Sequence, residues 1–146
     1  MLHLDLNPRC ILLAGPRAVV ADFWVGWWAW GERSAAAAPG ASTTGASPYW
    51  SPESVRGGVW RDERTDLYAL GCVAFEMLTG GLPAPVPAPR RRFPWSSRSL
   101  ARQAFRPDVP RAVAAAIERA MAPDPAGRFP TVSAFLTALG PTLARA

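Results

Sequence analysis

Lysine is absent from this 146-residue chain, so all 16 of its basic side chains are arginines. A site that needs a lysine ammonium as a point charge on a phosphate is therefore excluded within these residues. The net charge is +5, and apart from a triplet at 90–92 the arginines are scattered among acidic residues. That pattern favours a solvated surface over a nucleic-acid or anionic-lipid site.

Histidine and cysteine are almost as scarce. His3 is the only histidine, and Cys10 and Cys72 are far apart with no Cys-x-x-Cys pair. A zinc site is therefore not expected. Two unpaired thiols are typical of a reducing compartment, and we expect a cytoplasmic protein.

Long hydrophobic runs are also missing. The longest uncharged apolar stretches lie near 23–31 and 67–75, well short of the roughly 20 residues that a spanning helix needs. Asp5 and Arg9 interrupt any early apolar run, so neither a secretory signal nor a transmembrane segment is predicted. The 49% hydrophobic content instead suits one globular domain.

Two kinds of secondary structure follow from the pattern of apolar residues. Short apolar runs at 10–13 and 18–21 flank Gly15-Pro16 and predict a hairpin. The clearest helix covers 62–79, with Thr65 or Asp66 as its cap and Gly80-Gly81 as its end. This helix is apolar nearly all round, which indicates that it is buried.

Two more helices are expected towards the end of the chain. One starts near Pro110, with proline at its first position, and the other starts at Thr131 as cap and ends at Gly140-Pro141. The segments 34–47 and 82–94 are predicted connectors, and a short helix near 99–105 is possible. The buried stripe of the first helix comprises Val113, Ala116, Ile117, Ala120 and Met121.

Five short motifs follow one another in a fixed order. Each has an ordinary alternative: a turn-forming aspartate, a helix cap, or unrelated surface charges. Together their order and spacing resemble the lower lobe of a Hanks-type serine/threonine protein kinase. The motifs are His3-Leu4-Asp5-Leu6-Asn7-Pro8, Asp22-Phe23-Trp24, Ser51-Pro52-Glu53, Asp66-Leu67-Tyr68 and Asp124-Pro125 with Arg128.

The resemblance implies a mainly α fold, a kinase-like C-lobe of an α+β superfamily with a small β-hairpin. Residues 1–146 would form a partial kinase domain, with a catalytic loop at 3–10, an activation segment at 22–53 and a helical subdomain at 62–140. The resemblance begins at residue 3, so we expect the N-lobe to be absent.

The resemblance also implies a role for each motif. Asp5 would orient the substrate hydroxyl, and Asp22 would bind Mg²⁺ beside ATP. Asn7 and Cys10 occupy the other two cofactor-binding positions. The structural residues would be His3, Asp66, which holds the catalytic-loop backbone, and Glu53 with Arg128, which form a buried ion pair.

Several positions depart from the family pattern. Leu4 replaces an arginine that receives a phosphate, Asn7 replaces a lysine that steadies the transferring phosphate, and Cys10 replaces an asparagine that helps to hold a metal ion. Trp24 replaces a glycine, and Ala46 replaces a threonine that hydrogen-bonds near the catalytic aspartate. A neutral thiol is a poor Mg²⁺ ligand, so the departures predict impaired catalysis.

Three hypotheses for function remain open. The first is a truncated, catalytically impaired kinase lobe that by family transfers the ATP γ-phosphate to protein serine or threonine. The second is a non-enzymatic, pseudokinase-type module that binds a protein through Trp24, Trp27, Trp28 and Trp30, a cluster whose alternatives are packing and a lipid interface. The third is a gene fragment or a misplaced start at Met1.

Overall fold

The computed structural model describes residues 1–23, 47–56, 61–83 and 105–140. Within these ranges the chain is mainly helical with one two-stranded antiparallel sheet, so the mainly α prediction with a hairpin is confirmed. The elements in chain order are a 3-10 turn (Pro8–Cys10), β1 (Ile11–Ala14), β2 (Arg17–Val20), α1 (Pro52–Val55), α2 (Glu63–Thr79), α3 (Arg111–Ala120), a 3-10 turn (Pro125–Gly127) and α4 (Val132–Leu139).

The hairpin is shifted by one residue from the predicted strands. Ala14 pairs with Arg17 across a two-residue turn, in which Gly15 has a φ of 61° that a residue with a side chain rarely adopts. Cys10 is not in β1, because the preceding Pro8–Cys10 turn includes it. Nearly every residue of both strands is exposed, so the hairpin projects from the helical part of the chain.

Helix α2 is capped by a different residue from those predicted. The Asp62 side chain accepts a hydrogen bond from the Arg64 amide, and Asp62 is in the extended conformation of an N-cap. The prediction of Thr65 or Asp66 as the cap is wrong because both lie inside the helix, where Asp66 binds the chain near residue 3 instead. The predicted end is confirmed: Gly80 has a φ of 75° and closes the last turn.

The core lies where α2, α3 and α4 pack against one another. All five residues of the predicted α3 stripe are buried. Gly71 of α2 lets α3 approach closely, because a Cβ atom there would lie 2.9 Å from Met121 and 3.1 Å from Ala120. The close-packed helices form the support on which the polar loops are fixed.

The helix starts after residue 105 agree with the sequence to within one position. Pro110 is the N-cap of α3 and not its first residue, since its ψ of 136° is not helical. Thr131 caps α4 as predicted, because its side chain accepts a hydrogen bond from the Ala134 amide. Local capping chemistry therefore sets the start of α4.

Several predictions fall outside the described residues. They concern the tryptophan cluster from Trp24 to Trp30, the connector at 34–46 with Ala46, the proline-rich stretch at 84–94 and the possible short helix at 99–104. In the part of the chain that the structure describes, no helix combines the length and the apolar character needed to cross a bilayer.

Candidate functional site

The loop that begins at His3 is fixed to helix α2 by one carboxylate. Asp66 Oδ2 accepts a hydrogen bond from the His3 amide at 2.7 Å, and Oδ1 accepts one from the Leu4 amide at 2.7 Å. Leu4 has a φ of 66°, an unfavourable backbone for a leucine. Two successive amides converge on one anion here, which offsets the strain of the left-handed residue.

The His3 ring connects this loop to the end of the hairpin. Nε2 donates to the Ala21 carbonyl at 2.7 Å, because a carbonyl can only accept. Nδ1 then accepts from the Asp5 amide at 3.3 Å, and the ring packs against Phe23 with 4.8 Å between centroids. Asp22 lies between Ala21 and Phe23 with a φ of 63°. Because His3 contacts both of these neighbours, it helps to fix the position of Asp22.

Asp5 is held through both its side chain and its main chain. Trp50 Nε1 donates to the carboxylate oxygen Oδ1 at 2.8 Å. The Asp5 carbonyl accepts from Asn7 Nδ2 at 2.7 Å and contacts the Cys10 thiol at 3.6 Å. Trp50 was not among the predicted site residues, although it directly precedes the Ser51-Pro52-Glu53 motif.

The polar groups of Asn7 and Cys10 contact other residues of the same loop. The Asn7 amide nitrogen donates to Asp5, and its oxygen accepts from the Arg9 amide at 3.0 Å. Cys10 is buried, and burial raises the pKa of its thiol; the negative charges of Asp5 and Asp22 raise this pKa further, against the opposing effect of the hydrogen bond with Asn7. The thiol is therefore neutral at physiological pH.

These donors do not fit a magnesium site. Mg²⁺ requires hard oxygen ligands, whereas Cys10 presents a neutral thiol. Within the described ranges, no group of three or more His, Cys, Asp or Glu side chains is arranged to hold a metal ion. Cys10 therefore cannot serve as the second metal ligand beside Asp22 that the family resemblance implies.

A second set of charges fastens helix α1 to the rest of the chain. Arg128 makes a bidentate pair with Glu53, with both nitrogen–oxygen distances at 2.7 Å. Its side chain is fully buried, and it also donates to the carbonyls of Ala122 and Arg64, both at 2.8 Å. Planar, bidentate geometry of this kind is among the strongest arrangements of charged hydrogen bonds.

Two opposing effects act on the Glu53 carboxylate. Burial alone would raise its pKa, but the hydrogen bonds and positive charge of Arg128 together outweigh burial and leave the pKa below the usual glutamate value. Thr65 adds a hydrogen bond to Oε1 at 3.2 Å. The carboxylate is therefore held ionised by its partners.

The Asp66 contact with the His3 loop and the Glu53–Arg128 pair both involve α2, at neighbouring residues. Thr65 contacts Glu53, and Asp66, the next residue, holds the His3 loop. The structure therefore brings Asp66 together with His3, and Glu53 together with Arg128, although these pairs are 63 and 75 residues apart. Sequence reasoning named Thr65 only as a candidate helix cap and missed its contact with Glu53.

Tyr49 is a further residue that sequence reasoning left without a partner. Its hydroxyl donates to Glu76 on α2 at 2.6 Å. Burial, followed by this hydrogen bond and the charge of Glu76, raises the pKa of Tyr49 to about 12. Tyr49 thus ties the segment before α1 to α2 independently of Glu53.

Sequence comparison with known proteins relates this chain to protein kinases. The chain is 32% identical over 136 residues to the probable serine/threonine-protein kinase CPE1738 of Clostridium perfringens and 33% identical over 136 residues to the serine/threonine-protein kinase PrkC of Bacillus subtilis. Each match covers 90% of this chain. The chain is related to the serine/threonine protein kinases.

Other kinases agree with this assignment, although no family model matches the chain. The serine/threonine-protein kinase PknL of Mycobacterium tuberculosis is 36% identical over 118 residues, or 78% of this chain. The chain spans only 19%, 20% and 26% of the lengths of the Clostridium, Bacillus and Mycobacterium proteins, respectively. The similarity therefore concerns one part of each kinase.

Proposed function

We propose that this chain is the C-lobe of a serine/threonine protein kinase in which phosphotransfer is impaired. The family reaction is transfer of the ATP γ-phosphate to a protein serine or threonine, with Mg²⁺ as cofactor. One contrast carries the proposal: the long-range contacts of Asp66 and Arg128 are formed, whereas Asn7 and Cys10 direct their polar groups into the loop. The chain keeps a scaffold without a complete phosphate-binding set.

In this proposal the motifs take the roles that the sequence predicts. Residues 3–10 form the catalytic loop, 22–53 the activation segment and 62–140 the helical subdomain. Asp5 would orient a substrate hydroxyl through Oδ2, which accepts no hydrogen bond from any described residue. Asp22 would take the family's metal-binding position, although Cys10 supplies no second ligand there, and His3, Glu53, Asp66 and Arg128 would hold the loops.

The expected impairment follows from charge. Phosphoryl transfer depends on positioned cations and metal ions that neutralise developing negative charge. Loss of one such stabilising group costs on the order of 10²–10³ in rate. Asn7 brings no positive charge, and Cys10 brings no hard oxygen, so two positions of the site fail together.

A phosphotransfer assay tests this proposal. The purified chain is incubated with γ-labelled Mg²⁺-ATP and a protein rich in serine and threonine. We expect incorporation no higher than that of Asp5→Ala, because the cofactor positions are incomplete. Asp108→Ala is the matched control, since Asp108 is an exposed aspartate paired with Arg106. Incorporation by the wild-type chain and by Asp108→Ala that is lost in Asp5→Ala would overturn the impairment.

A protein-binding module is the second candidate, and the hairpin favours it. Leu12, Leu13, Val19 and Val20 are 55%, 82%, 48% and 41% exposed. An apolar hairpin with this exposure is typical of a surface that contacts another protein. The partner is expected to present a complementary apolar face.

This second candidate is tested with a partner defined by cross-linking. We expect Leu13→Asp to abolish its binding, because a charge would be buried against an apolar face. Leu136→Asp is the matched control, since Leu136 is 58% exposed on α4, away from the hairpin in sequence. Equal binding by both variants would remove the hairpin from the interface.

The proposed location is the cytoplasm. Cys10 and Cys72 are both free and buried. Burial raises the pKa of Cys72 to about 12, so this thiol stays protonated and unreactive. Two unpaired thiols suit a reducing compartment.

A further inference from the structure

The contact between Trp50 and Asp5 joins two segments that are 45 residues apart. The indole Nε1–H is a donor only, and it lies 2.8 Å from the carboxylate oxygen Oδ1. A hydrogen bond between an N–H group and an ionised carboxylate is stronger than a neutral one. Among the described residues, no other side chain hydrogen-bonds to the Asp5 carboxylate.

The main chain of Asp5 is held by different groups. Its amide donates to His3, and its carbonyl accepts from Asn7 and contacts Cys10. None of these contacts restricts rotation of the side chain about χ1 or χ2. The hydrogen bond from Trp50 restricts this rotation, because it fixes one carboxylate oxygen relative to the loop.

Trp50 is itself well supported. Its amide donates to the Ser47 carbonyl at 3.0 Å. Ser51, the next residue, is almost fully buried; its hydroxyl accepts from the Ser54 amide as the N-cap of α1 and donates to the Ser54 hydroxyl at 2.9 Å. Glu53 then fixes α1 to Arg128. The backbone that carries the indole is thus anchored through α1 to the helical core.

We propose that Trp50 is a positioning residue for Asp5, whose Oδ1 it occupies so that Oδ2 faces an incoming hydroxyl group. Orientation of Asp5 by Trp50 depends only on the observed hydrogen bond. The identity of the ligand, a serine or threonine hydroxyl of a protein, rests on the proposed function. The positioning role therefore holds or fails even in a chain with no phosphotransfer.

The test is nuclear magnetic resonance of the full chain, because it reads the Asp5 rotamer directly. Three-bond couplings of Asp5 Cγ to the backbone nitrogen and carbonyl carbon report χ1. We expect single-rotamer values in the wild-type chain and averaged values in Trp50→Phe, which keeps an aromatic ring but loses the N–H. Tyr49→Phe is the matched control, since it removes the neighbouring side-chain donor, which binds Glu76.

The outcomes separate a positioning role from a structural one. Averaging in Trp50→Phe with unchanged couplings in Tyr49→Phe, and an unshifted Leu4 amide in both, supports the proposal. Single-rotamer couplings retained in Trp50→Phe overturn it. The phosphotransfer assay has no bearing on either result, so failure of the proposed function is distinguished from failure of this inference.

A second measurement serves if Trp50→Phe does not fold. Hydrogen exchange of the Trp50 indole proton is compared between the wild-type chain and Asp5→Ala. We expect exchange to be several-fold faster in Asp5→Ala, because the acceptor is gone. Equal exchange rates in the two chains would show that the hydrogen bond does not hold the indole, and would overturn the proposal.

Discussion

The helical region and the loop-and-hairpin region of this chain are held together by different forces. In the helical region, which comprises α2, α3 and α4, side chains such as Phe75, Ile117 and Phe135 are 1% exposed. In the loop-and-hairpin region, residues 3–23, most strand side chains face solvent, and Asp66 accepts two hydrogen bonds from amides of the first loop. Apolar burial stabilises the first region, whereas in the second it is confined to the first loop, at Leu4, Leu6 and Cys10, and polar contacts fix that loop to α2.

The same comparison applies to charged pairs. Arg128 and Glu53 pair at 2.7 Å with side chains that are 0% and 16% exposed, whereas Arg106 and Asp108 pair at 2.8 Å with side chains that are 62% and 65% exposed. The distances are nearly equal, so burial makes the difference. A buried charge that loses its partner remains desolvated, while an exposed charge is solvated by water.

Arg128→Met is expected to have the largest effect. Removal of one partner leaves Glu53 buried without its cation, which costs about 3–5 kcal/mol of unfolding free energy. Urea unfolding measures the change as a shift of the midpoint. The control is Arg106→Met, for which about 0–1 kcal/mol is expected because that pair is exposed. Equal midpoints for the two variants would contradict the comparison.

Leu67→Ala and Leu13→Ala sharpen the contrast in apolar burial. Leu67 is 0% exposed in α2, and its truncation is expected to cost about 2–5 kcal/mol through lost burial and a residual cavity. Leu13 is 82% exposed on the hairpin, and a change within about 0.5 kcal/mol is expected. Both are read from urea midpoints. A large loss for Leu13→Ala would mean that the hairpin is packed against other residues.

Asp66→Asn tests the link between the two regions. The amide group can accept through one oxygen only, so the His3 and Leu4 amides compete for it, at an expected cost of about 1.5–3 kcal/mol. Hydrogen exchange of these two amides should accelerate together with the fall in the urea midpoint. Asp62→Asn is the control on the same helix, because asparagine caps a helix about as well as aspartate. Protection retained in Asp66→Asn would refute the link.

The smallest expected effect is on how the stability of the chain changes with pH. The pKa of Glu53 is lower in the folded chain than its ordinary value of 4.5, so the unfolded chain takes up a proton first as pH falls. The stabilisation is therefore complete above the ordinary value and is lost as pH falls through the folded-state pKa. Urea midpoints measured from neutral pH down to about pH 3 should fall less steeply in Glu53→Gln. Parallel pH profiles would count against the ion pair.

Much of the fold was open to prediction because its signals are local. The apolar stripe of α3, the Thr131 cap of α4 and the Gly80 end of α2 each depend on residues within a turn or two. The hairpin was predicted to within one residue because Gly15-Pro16 marks the turn. The α2 cap was missed because Asp62 and Asp66 have the same side chain, and only the tertiary contact with His3 separates their roles.

For the candidate site, the sequence could propose residues but not the orientations of their side chains. The motif order named Asp5, Asn7, Cys10 and Asp22, yet only the structure shows the Asn7 amide and Cys10 thiol directed at the Asp5 carbonyl. Trp50 carried no signal, because an indole N–H has no preferred sequence distance from its acceptor. Which acceptor the Trp50 indole meets depends on how α1 packs against the helical core.

Sequence alone was enough to locate α2, α3, α4 and the hairpin, though not the short helix α1, and the order of its motifs pointed to the kinase family. Capping and apolar periodicity act over a few residues, so no knowledge of the packed chain is needed to read them. Only the tertiary structure decided which carboxylate meets which amide, guanidinium or indole. Those contacts join residues 45 to 75 positions apart, so the positions of their partners depend on how α2, α3 and α4 pack.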